Sequence, residues 1–174
     1  GTPGSGKTIL SQQVIFKNAS PQNRAVFFQT LSEPTAKTLR YLKQFKLFDP
    51  SKLKDGSIEF IDLGEILRSK GLEQAVNLLM SHVKRIKPSF VVIDSFKVFE
   101  DLALSQTDLR KFSYEIAINL MAWECTTLLL GEFNPEDMKT NPLFSIVDGI
   151  IMLKVREEAR EQQRFLQIIK MRGT

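Results

Sequence analysis

The sequence has 174 residues, the length of one domain, and 43% hydrophobic residues, enough for a substantial core. Its net charge of +4 is compatible with an anionic ligand but does not indicate nucleic acid, which requires positive charge gathered on one face. The single cysteine, Cys125, excludes an intramolecular disulfide and favours a reducing, cytoplasmic compartment, and no apolar run reaches the roughly 20 residues that span a bilayer.

The chain opens with a glycine-rich segment that matches the phosphate-binding motif G-x-x-x-x-G-K-[ST] at every fixed position. Glycines let the backbone turn its N–H groups towards an anion, and a helix that follows adds positive charge at its N-terminus. In this motif the lysine, here Lys7, reaches the β- and γ-phosphates of a nucleotide, and the hydroxyl of Thr8 binds Mg²⁺. The predicted phosphate-binding residues are Gly1, Thr2, Pro3, Gly4, Ser5, Gly6, Lys7 and Thr8.

Segments of strand type and helix type alternate through most of the chain. Apolar positions at helical spacing predict helices over 7–18, from Pro34 to about Phe45, over 72–86 and from about Thr107 to Trp123. Short apolar runs predict strands over 25–30, 58–63, 90–93 and 127–130. The strand over 58–63 alternates more strongly, which is typical of a sheet edge. Loops are expected around 49–56 and over 131–145.

Two strand-like runs, 149–155 and 164–171, follow each other at the end of the chain, separated by a charged segment. The alternation before them implies a parallel sheet, and consecutive strands imply an antiparallel hairpin. The predicted fold is therefore α/β: a mostly parallel, twisted sheet with helices on both faces and an antiparallel C-terminal hairpin at one edge.

Asp94 is the predicted second anchor of the phosphate site. It ends the apolar run Phe90-Val91-Val92-Ile93, as expected of a Walker B strand. Ligands of α/β proteins bind at the carboxyl ends of parallel strands. There the Asp94 carboxylate can hold Mg²⁺ directly or through water, together with Thr8.

Glu33 is the candidate that orients the attacking water. Hydrolysis of a γ-phosphate needs a carboxylate or an amide to place water in line. Glu33 follows the strand over 25–30, which would direct it towards the phosphates. The same position also suits a carboxylate that stabilises the start of the next helix.

Lys170 and Arg172 lie two residues apart on the last strand, so that alternation directs both to one face. Two such cations can grip a phosphate, although spacing alone does not bring them to the site of their own subunit. The chain has one histidine, His82, and one cysteine, which argues against a zinc cluster and a Ser-His-Asp triad. The absence of an Asn-Lys-x-Asp sequence favours ATP over GTP.

Four segments together resemble the RecA-like P-loop ATPases and, within them, the KaiC-like group. They are residues 1–8, the stretches Phe28-Gln29-Thr30-Leu31-Ser32-Glu33 and Phe90-Val91-Val92-Ile93-Asp94-Ser95, and the ending Ile168-Ile169-Lys170-Met171-Arg172-Gly173-Thr174. That ending looks like the K-L-R-G-T signature of KaiC domains. The resemblance covers nearly the whole chain, in order and with similar spacings.

The resemblance implies a single RecA/KaiC-like ATPase core over 1–174, which lacks its first strand and its C-terminal continuation. It implies that the strands at 25–30 and 127–131 flank the Asp94 strand, with the missing strand beyond 127–131. It also implies a ring, commonly a hexamer, that binds ATP and Mg²⁺ between neighbouring subunits. Lys170 and Arg172 would then reach the γ-phosphate of the adjacent subunit, and Lys7 and Glu33 would complete the catalytic set.

One position departs from the family pattern. KaiC domains often carry two adjacent glutamates after the strand, whereas this chain has Ser32-Glu33. A serine cannot act as a carboxylate base, so that Glu33 must substitute or hydrolysis must be very slow.

The leading prediction is an ATP-binding, slowly hydrolysing domain that acts through ring assembly in signalling or regulation, with a signalling protein as a further partner. Two alternatives stay open at this point: a recombinase-type DNA-binding ATPase, and a nucleotide-binding switch with little hydrolysis. The loop over 131–145 disfavours DNA because Glu132, Glu136 and Asp137 outnumber Lys139, although Phe133 and Phe144 could stack on bases. The family resemblance also allows phosphotransfer to a protein serine or threonine, but no residue here identifies an acceptor.

Overall fold

The computed structural model describes residues 1–31, 35–103, 105–122, 124–158 and 161–173. Four parallel strands form one sheet in the order β2-β1-β3-β4. Their bounds are β1 Ala25–Gln29, β2 Ile58–Asp62, β3 Phe90–Asp94 and β4 Thr126–Leu130. This arrangement confirms the α/β prediction, places β2 at an edge and sets β1 and β4 on either side of the Asp94 strand.

Eight helices occupy the described part of the chain. Their bounds are α1 Lys7–Asn18, α2 Thr35–Leu42, α3 Ser51–Lys54, α4 Gly64–Ile86, α5 Lys97–Asp101, α6 Gln106–Ala122, α7 Pro135–Thr140 and α8 Leu143–Ile146. The predicted helix over 7–18 is confirmed. The helix predicted over 72–86 is the second part of α4, which is interrupted at Gly71, where φ is 81°. None of the helices in the described ranges is long and apolar enough to cross a membrane.

Two predicted loops contain helices instead. Short α3 lies within 49–56, α7 lies within 131–145, and α8 begins there and ends one residue beyond it. The start of α7 has a local cause: the Asn134 side chain accepts a hydrogen bond from the Asp137 amide, and the Asp137 carboxylate accepts one from the Asn134 amide. This reciprocal cap satisfies two amides that would otherwise lack partners, and Pro135 fits the first turn.

The last two strands, β5 Gly149–Glu158 and β6 Glu161–Met171, pair antiparallel as predicted. They form a two-stranded sheet of their own, which is not hydrogen-bonded to the four-stranded sheet in the described ranges. Both strands extend further into the charged segment than the sequence indicated.

Helices cover both faces of the parallel sheet because alternate strand residues point to opposite sides. On one face Val26, Phe28, Val91 and Ile93 pack with buried residues of α4 and α6. On the other face Ala25, Phe27 and Val92 pack with Ile15 and Phe16 of α1 and with Leu42 of α2. This second face therefore holds α1 against the sheet, and α1 carries the phosphate-binding motif at its N-terminus.

The far end of α1 is tied down by a lysine from α3. The Lys52 ammonium donates hydrogen bonds to the carbonyl oxygens of Phe16 and Ala19, at 2.6 and 2.7 Å. These carbonyls belong to the last turn of the helix and the residue beyond it, where a cation also complements the helix dipole. The segment that the sequence predicted as a loop thus fixes the position of α1.

Candidate functional site

The glycine-rich segment folds as a tight loop at the N-terminus of α1. Gly4 and Gly6 have φ values of 70° and 94°, a region that side chains disfavour. Ser5 is buried, and its hydroxyl donates to the Thr2 carbonyl at 2.7 Å. No side chain caps α1, whose first turn contains no acidic residue. The amides of this turn are therefore available to an anion, as the motif predicts.

Lys7 is held by its own loop and by one carboxylate. Its ammonium donates to the carbonyl oxygens of Gly1 and Thr2 at 3.1 and 2.8 Å. It also lies 3.6 Å from Oε1 of Glu132, which follows β4. The Lys7 side chain is 17% exposed, against 54% for Glu132. The lysine therefore lies within the site but points back at the loop.

Thr8 and Asp94, which are 86 residues apart in sequence, meet in the structure. The Thr8 hydroxyl donates to Oδ2 of Asp94 at 2.6 Å. Asp94 is the last residue of β3 and lies beside Gln29, the last residue of β1. The carboxyl edge of the parallel sheet thus brings together the two oxygen donors that the sequence predicts for Mg²⁺.

These groups surround a cavity of about 590 Å³. Its lining includes the predicted residues Gly4, Gly6, Lys7, Thr8 and Asp94. It also includes residues that the sequence analysis did not assign to a phosphate site: Ile9, Gln29, Thr38, Ser95, Lys97, Val98, Asp101 and Glu132. The lining carries both signs of charge: Lys7 and Lys97 are cationic, and Asp94, Asp101 and Glu132 are acidic.

A second cavity, of about 400 Å³, shares Thr8, Ile9 and Thr38 with the first. The rest of its lining is formed by Gln12, Tyr41, Leu42, Gln44 and Phe45. Gln12 is 1% exposed, and its Oε1 has no hydrogen-bond partner among the described residues. The two cavities thus lie side by side; charged side chains line the first, and the described residues that line the second are uncharged.

Glu33, the predicted water-orienting residue, lies outside the described residues, as do Ser32 and Thr174. Lys170 and Arg172 do not line either cavity. The Lys170 ammonium donates to the carbonyl oxygens of Phe144 and Ser145 at 3.1 and 3.2 Å. Arg172 donates to Ser145 and pairs with Asp148 at 3.1 Å. Both cations are therefore near α8 and away from the phosphate cavity of their own chain.

Sequence reasoning missed Glu132 and Lys97 as cavity residues. Glu132 follows β4 as Asp94 ends β3, so that its place at a strand end was a usable signal. Lys97 gave no such signal, because its position depends on the turn after Asp94. Its ammonium lies 5.3 Å from the centre of the Phe133 ring and 3.3 Å from Glu100. Burial raises the pKa of Glu100, although hydrogen bonds from Asn141 and Lys97 oppose that rise.

The donors present fit a magnesium ion that is also held by a nucleotide. No cluster of three or more histidine, cysteine or acidic residues that could hold a metal occurs within the described ranges. Mg²⁺ characteristically takes one or two protein oxygens and completes its shell with phosphate and water. The Thr8 hydroxyl and the Asp94 carboxylate supply oxygens of this kind at one place.

Comparisons with known proteins agree with this geometry. The family model described as "ATPase: KaiC" matches residues 1–174. The circadian clock oscillator protein KaiC of Parasynechococcus marenigrum is 25% identical over the whole chain, and that of Synechococcus elongatus is 23% identical. The chain spans about a third of the length of these relatives, since it covers 34% of each.

A solved structure shows the same fold. The KaiC-like protein PH0186 from the hyperthermophilic archaeon Pyrococcus horikoshii superposes with a TM-score of 0.81 at 25% sequence identity. The match covers 99% of this chain and 77% of that structure. With the family model matched from end to end, the chain belongs to the KaiC family of ATPases.

Proposed function

We propose that this domain binds Mg·ATP, hydrolyses it slowly and acts through assembly into a ring. The observation that carries the proposal is the meeting of Lys7, Thr8 and Asp94 around one cavity, with Thr8 bonded to Asp94 at 2.6 Å. A glycine turn, a lysine, a hydroxyl and a strand-end carboxylate are the set that phosphoryl transfer uses. Membership of an ATPase family gives independent support for nucleotide binding.

Each group of the cavity has a separate part in this proposal. The amides at the start of α1 and the Lys7 ammonium bind phosphate oxygens and stabilise the charge that develops on them. Thr8 and Asp94 would hold Mg²⁺, which neutralises phosphate charge when bound. Lys7 must turn away from the Gly1 and Thr2 carbonyls to do this, because its hydrogens are directed at them in the present structure.

We place the nucleotide base in the second cavity, which adjoins the phosphate cavity through Thr8 and Thr38. Tyr41 and Phe45 offer aromatic surface there, and both are partly exposed. The unpartnered Oε1 of Gln12 is an acceptor that an amino group of the base could satisfy.

Glu33 is proposed to orient the attacking water, and Ser32 beside it is the reason to expect slow turnover. Hydrolysis requires a water in line with the γ-phosphate and an acceptor for its proton. A glutamate one position later than the family's usual first carboxylate can accept that proton from a less favourable geometry. Single-turnover hydrolysis of the wild type and of Glu33→Gln tests the assignment, since equal rates would exclude Glu33 as the base.

The ring is proposed because Lys170 and Arg172 lie away from the cavity of their own chain. In a ring they would reach the γ-phosphate bound to a neighbour, as the family resemblance implies. Lys170 lies on β6, and Arg172 directly follows Met171, the last residue of that strand. β6 exposes apolar side chains, including Leu166, Ile168 and Ile169 at 57%, 60% and 45%. Exposed apolar side chains gathered on one strand suit a protein interface.

The decisive experiment compares Lys7→Ala with Lys17→Ala. Lys17 lies in the last turn of the same helix and is exposed, so it matches the charge change at a distance from the cavity. Titration with a fluorescent ATP analogue and Mg²⁺ should show binding to the wild type and to Lys17→Ala, and a loss of at least about a hundredfold for Lys7→Ala. Normal binding and turnover by Lys7→Ala would contradict the proposal.

Native mass measured with and without Mg·ATP tests assembly. We expect a larger species, of hexamer mass if the family's usual ring forms, and turnover per chain that rises with protein concentration. Arg172→Ala should lower turnover without a comparable loss of nucleotide binding. A monomer with full activity at every concentration would exclude the ring and the role of Arg172.

The non-catalytic switch is the second candidate, favoured by Ser32 alone, and assembly that follows ATP binding without measurable hydrolysis would establish it.

The DNA-binding alternative is less well supported. Phe133 and Phe144, which could have stacked on bases, pack edge to face on each other with centroids 5.1 Å apart. Lys139, the one lysine of that segment, is paired with Glu136 at 2.8 Å. Tight, salt-sensitive binding of single-stranded DNA would reverse this ranking.

A further inference from the structure

Glu132 stands in the phosphate cavity without a part in the proposed chemistry. Its carboxylate faces the Lys7 ammonium at 3.6 Å, in the region where a polyphosphate would place its own negative charge. A carboxylate and a phosphate cannot both approach the same ammonium without mutual repulsion. Glu132 therefore competes with the ligand for Lys7.

The residues next to Glu132 are closely packed, so that a displacement of Glu132 would be transmitted to its neighbours. A Cβ atom on Gly131 would lie 2.2 Å from the Phe133 ring, so that the ring folds directly over the glycine. Phe133 in turn contacts Phe144 edge to face, and the Phe144 carbonyl accepts a hydrogen bond from Lys170. Phe133 and Phe144, which pack on each other, thus connect Glu132 to the carbonyl group that binds Lys170.

From these contacts we infer that Glu132 is a phosphate-responsive positioning residue. Glu132 pairs with Lys7 at 3.6 Å, and a bound polyphosphate displaces it from Lys7. The displacement then reaches Phe144 and Ser145, whose carbonyls hold Lys170 and Arg172, through the Phe133–Phe144 contact. The inference rests on the proposed function, and it adds that occupation of a chain's own site alters the support of its two C-terminal cations.

The size of the effect follows from exposure. Glu132 is 54% exposed, and a surface ion pair contributes up to about 1 kcal/mol, equivalent to about fivefold in affinity. Removal of the charge should tighten phosphate binding by that factor at low salt. Because exposed charges are screened, the advantage should shrink towards unity at about 1 M salt.

The experiment compares Glu132→Gln with Glu136→Gln, which removes the same charge from an exposed residue of α7. Binding of two probes is measured with Mg²⁺ present: inorganic tripolyphosphate and ATP. We expect Glu132→Gln to bind tripolyphosphate about fivefold more tightly than the wild type at low salt, with Glu136→Gln within about twofold of it. Binding by Glu132→Gln no tighter than by Glu136→Gln would overturn the inference.

The two probes separate this inference from the proposed function. Tripolyphosphate that binds more tightly to Glu132→Gln, with no binding of ATP, would sustain the inference and refute the nucleotide proposal. ATP bound by the wild type and lost in Lys7→Ala, with Glu132→Gln unchanged, would do the reverse. A chain that binds neither probe would refute both.

Amide hydrogen exchange tests whether the displacement of Glu132 is transmitted. A purely structural role of Glu132 would not make this exchange respond to the ligand. Tripolyphosphate should change amide exchange over 141–148 in the wild type and in Glu136→Gln. The change should be largely absent in Glu132→Gln, where no carboxylate holds Lys7 beforehand. Identical changes in all three proteins, or none in the wild type, would overturn the transmission to Phe144 and Ser145.

Discussion

The four-stranded sheet and β6 of the C-terminal hairpin are both rich in apolar residues, yet the sheet buries them and β6 exposes them. All five residues of β1 are buried. Of the eleven residues of β6, ten are exposed and one, Lys170, is half-buried. The difference follows from coverage: α1, α2, α4 and α6 pack on the two faces of the sheet, and no described element covers the exposed side chains of β6. The sheet stabilises the fold of one chain, whereas the exposed side chains of β6 are where we propose that a neighbouring chain binds.

The largest expected contrast is in folding stability. Phe27→Ala should lower the free energy of unfolding by about 3–5 kcal/mol, because Phe27 is fully buried between the sheet and α1. Ile168→Ala, at a position that is 60% exposed, should cost less than about 1 kcal/mol in the monomer. Urea unfolding of both variants measures the contrast, and equal losses would show that the hairpin is buried as the sheet is.

A smaller effect is expected on self-association. Ile168→Asp introduces a charge on the exposed face of β6 and should weaken assembly by about tenfold or more, because a charge in an apolar contact must be desolvated. Sedimentation at several protein concentrations with Mg·ATP measures it. Gln162→Asp, near the tip of the same strand, is the control. If both variants weaken assembly equally, or if neither weakens it, the apolar face of β6 is not the assembly contact.

The smallest expected effect concerns Cys125, directly before β4. Burial raises the pKa of its thiol, so that the thiolate is disfavoured in the folded chain. The stability that this residue contributes is complete below the ordinary thiol pKa and is lost as pH rises towards the raised one. Unfolding measured from about pH 8 upward should therefore show a steeper loss for the wild type than for Cys125→Ser. A steeper loss for Cys125→Ser would indicate a thiolate that the fold stabilises.

Most of the sheet could be predicted from the sequence because parallel buried strands read as short apolar runs between helical stripes. The hairpin was also predicted, but its exposure could not be. The residues Phe165, Leu166, Ile168 and Ile169 are as apolar as β3, and nothing in their order says whether a helix covers them. The prediction of a loop around 49–56 was wrong for a related reason: a helix of one turn is too short to show a periodic pattern of apolar residues.

Part of the candidate site could also be predicted from the sequence. Lys7 and Thr8 belong to a motif with fixed spacing, and Asp94 ends an apolar strand, so that local sequence was sufficient for both. Glu132 and Lys97 join the cavity through the register of β4 beside β3 and through the turn that follows Asp94. The strand-end position of Glu132 can be read from the sequence, but its approach to Lys7 depends on packing between segments far apart in the chain, and the place of Lys97 depends on a turn that the sequence does not specify. The roles of Glu33, Lys170 and Arg172 stay predictions.

The attachment of Lys52 to the end of α1 has a consequence for ligand binding. A helix that is anchored only at its N-terminus would tilt and fray, and a ligand would have to immobilise it on arrival. Lys52 satisfies two carbonyls at the opposite end, so that the helix is already fixed before any phosphate arrives. The loss of entropy then belongs to folding and not to binding. In the proposed function, Lys52 at the far end of α1 thereby contributes to the affinity of the site, together with the core packing of Ile15 and Phe16.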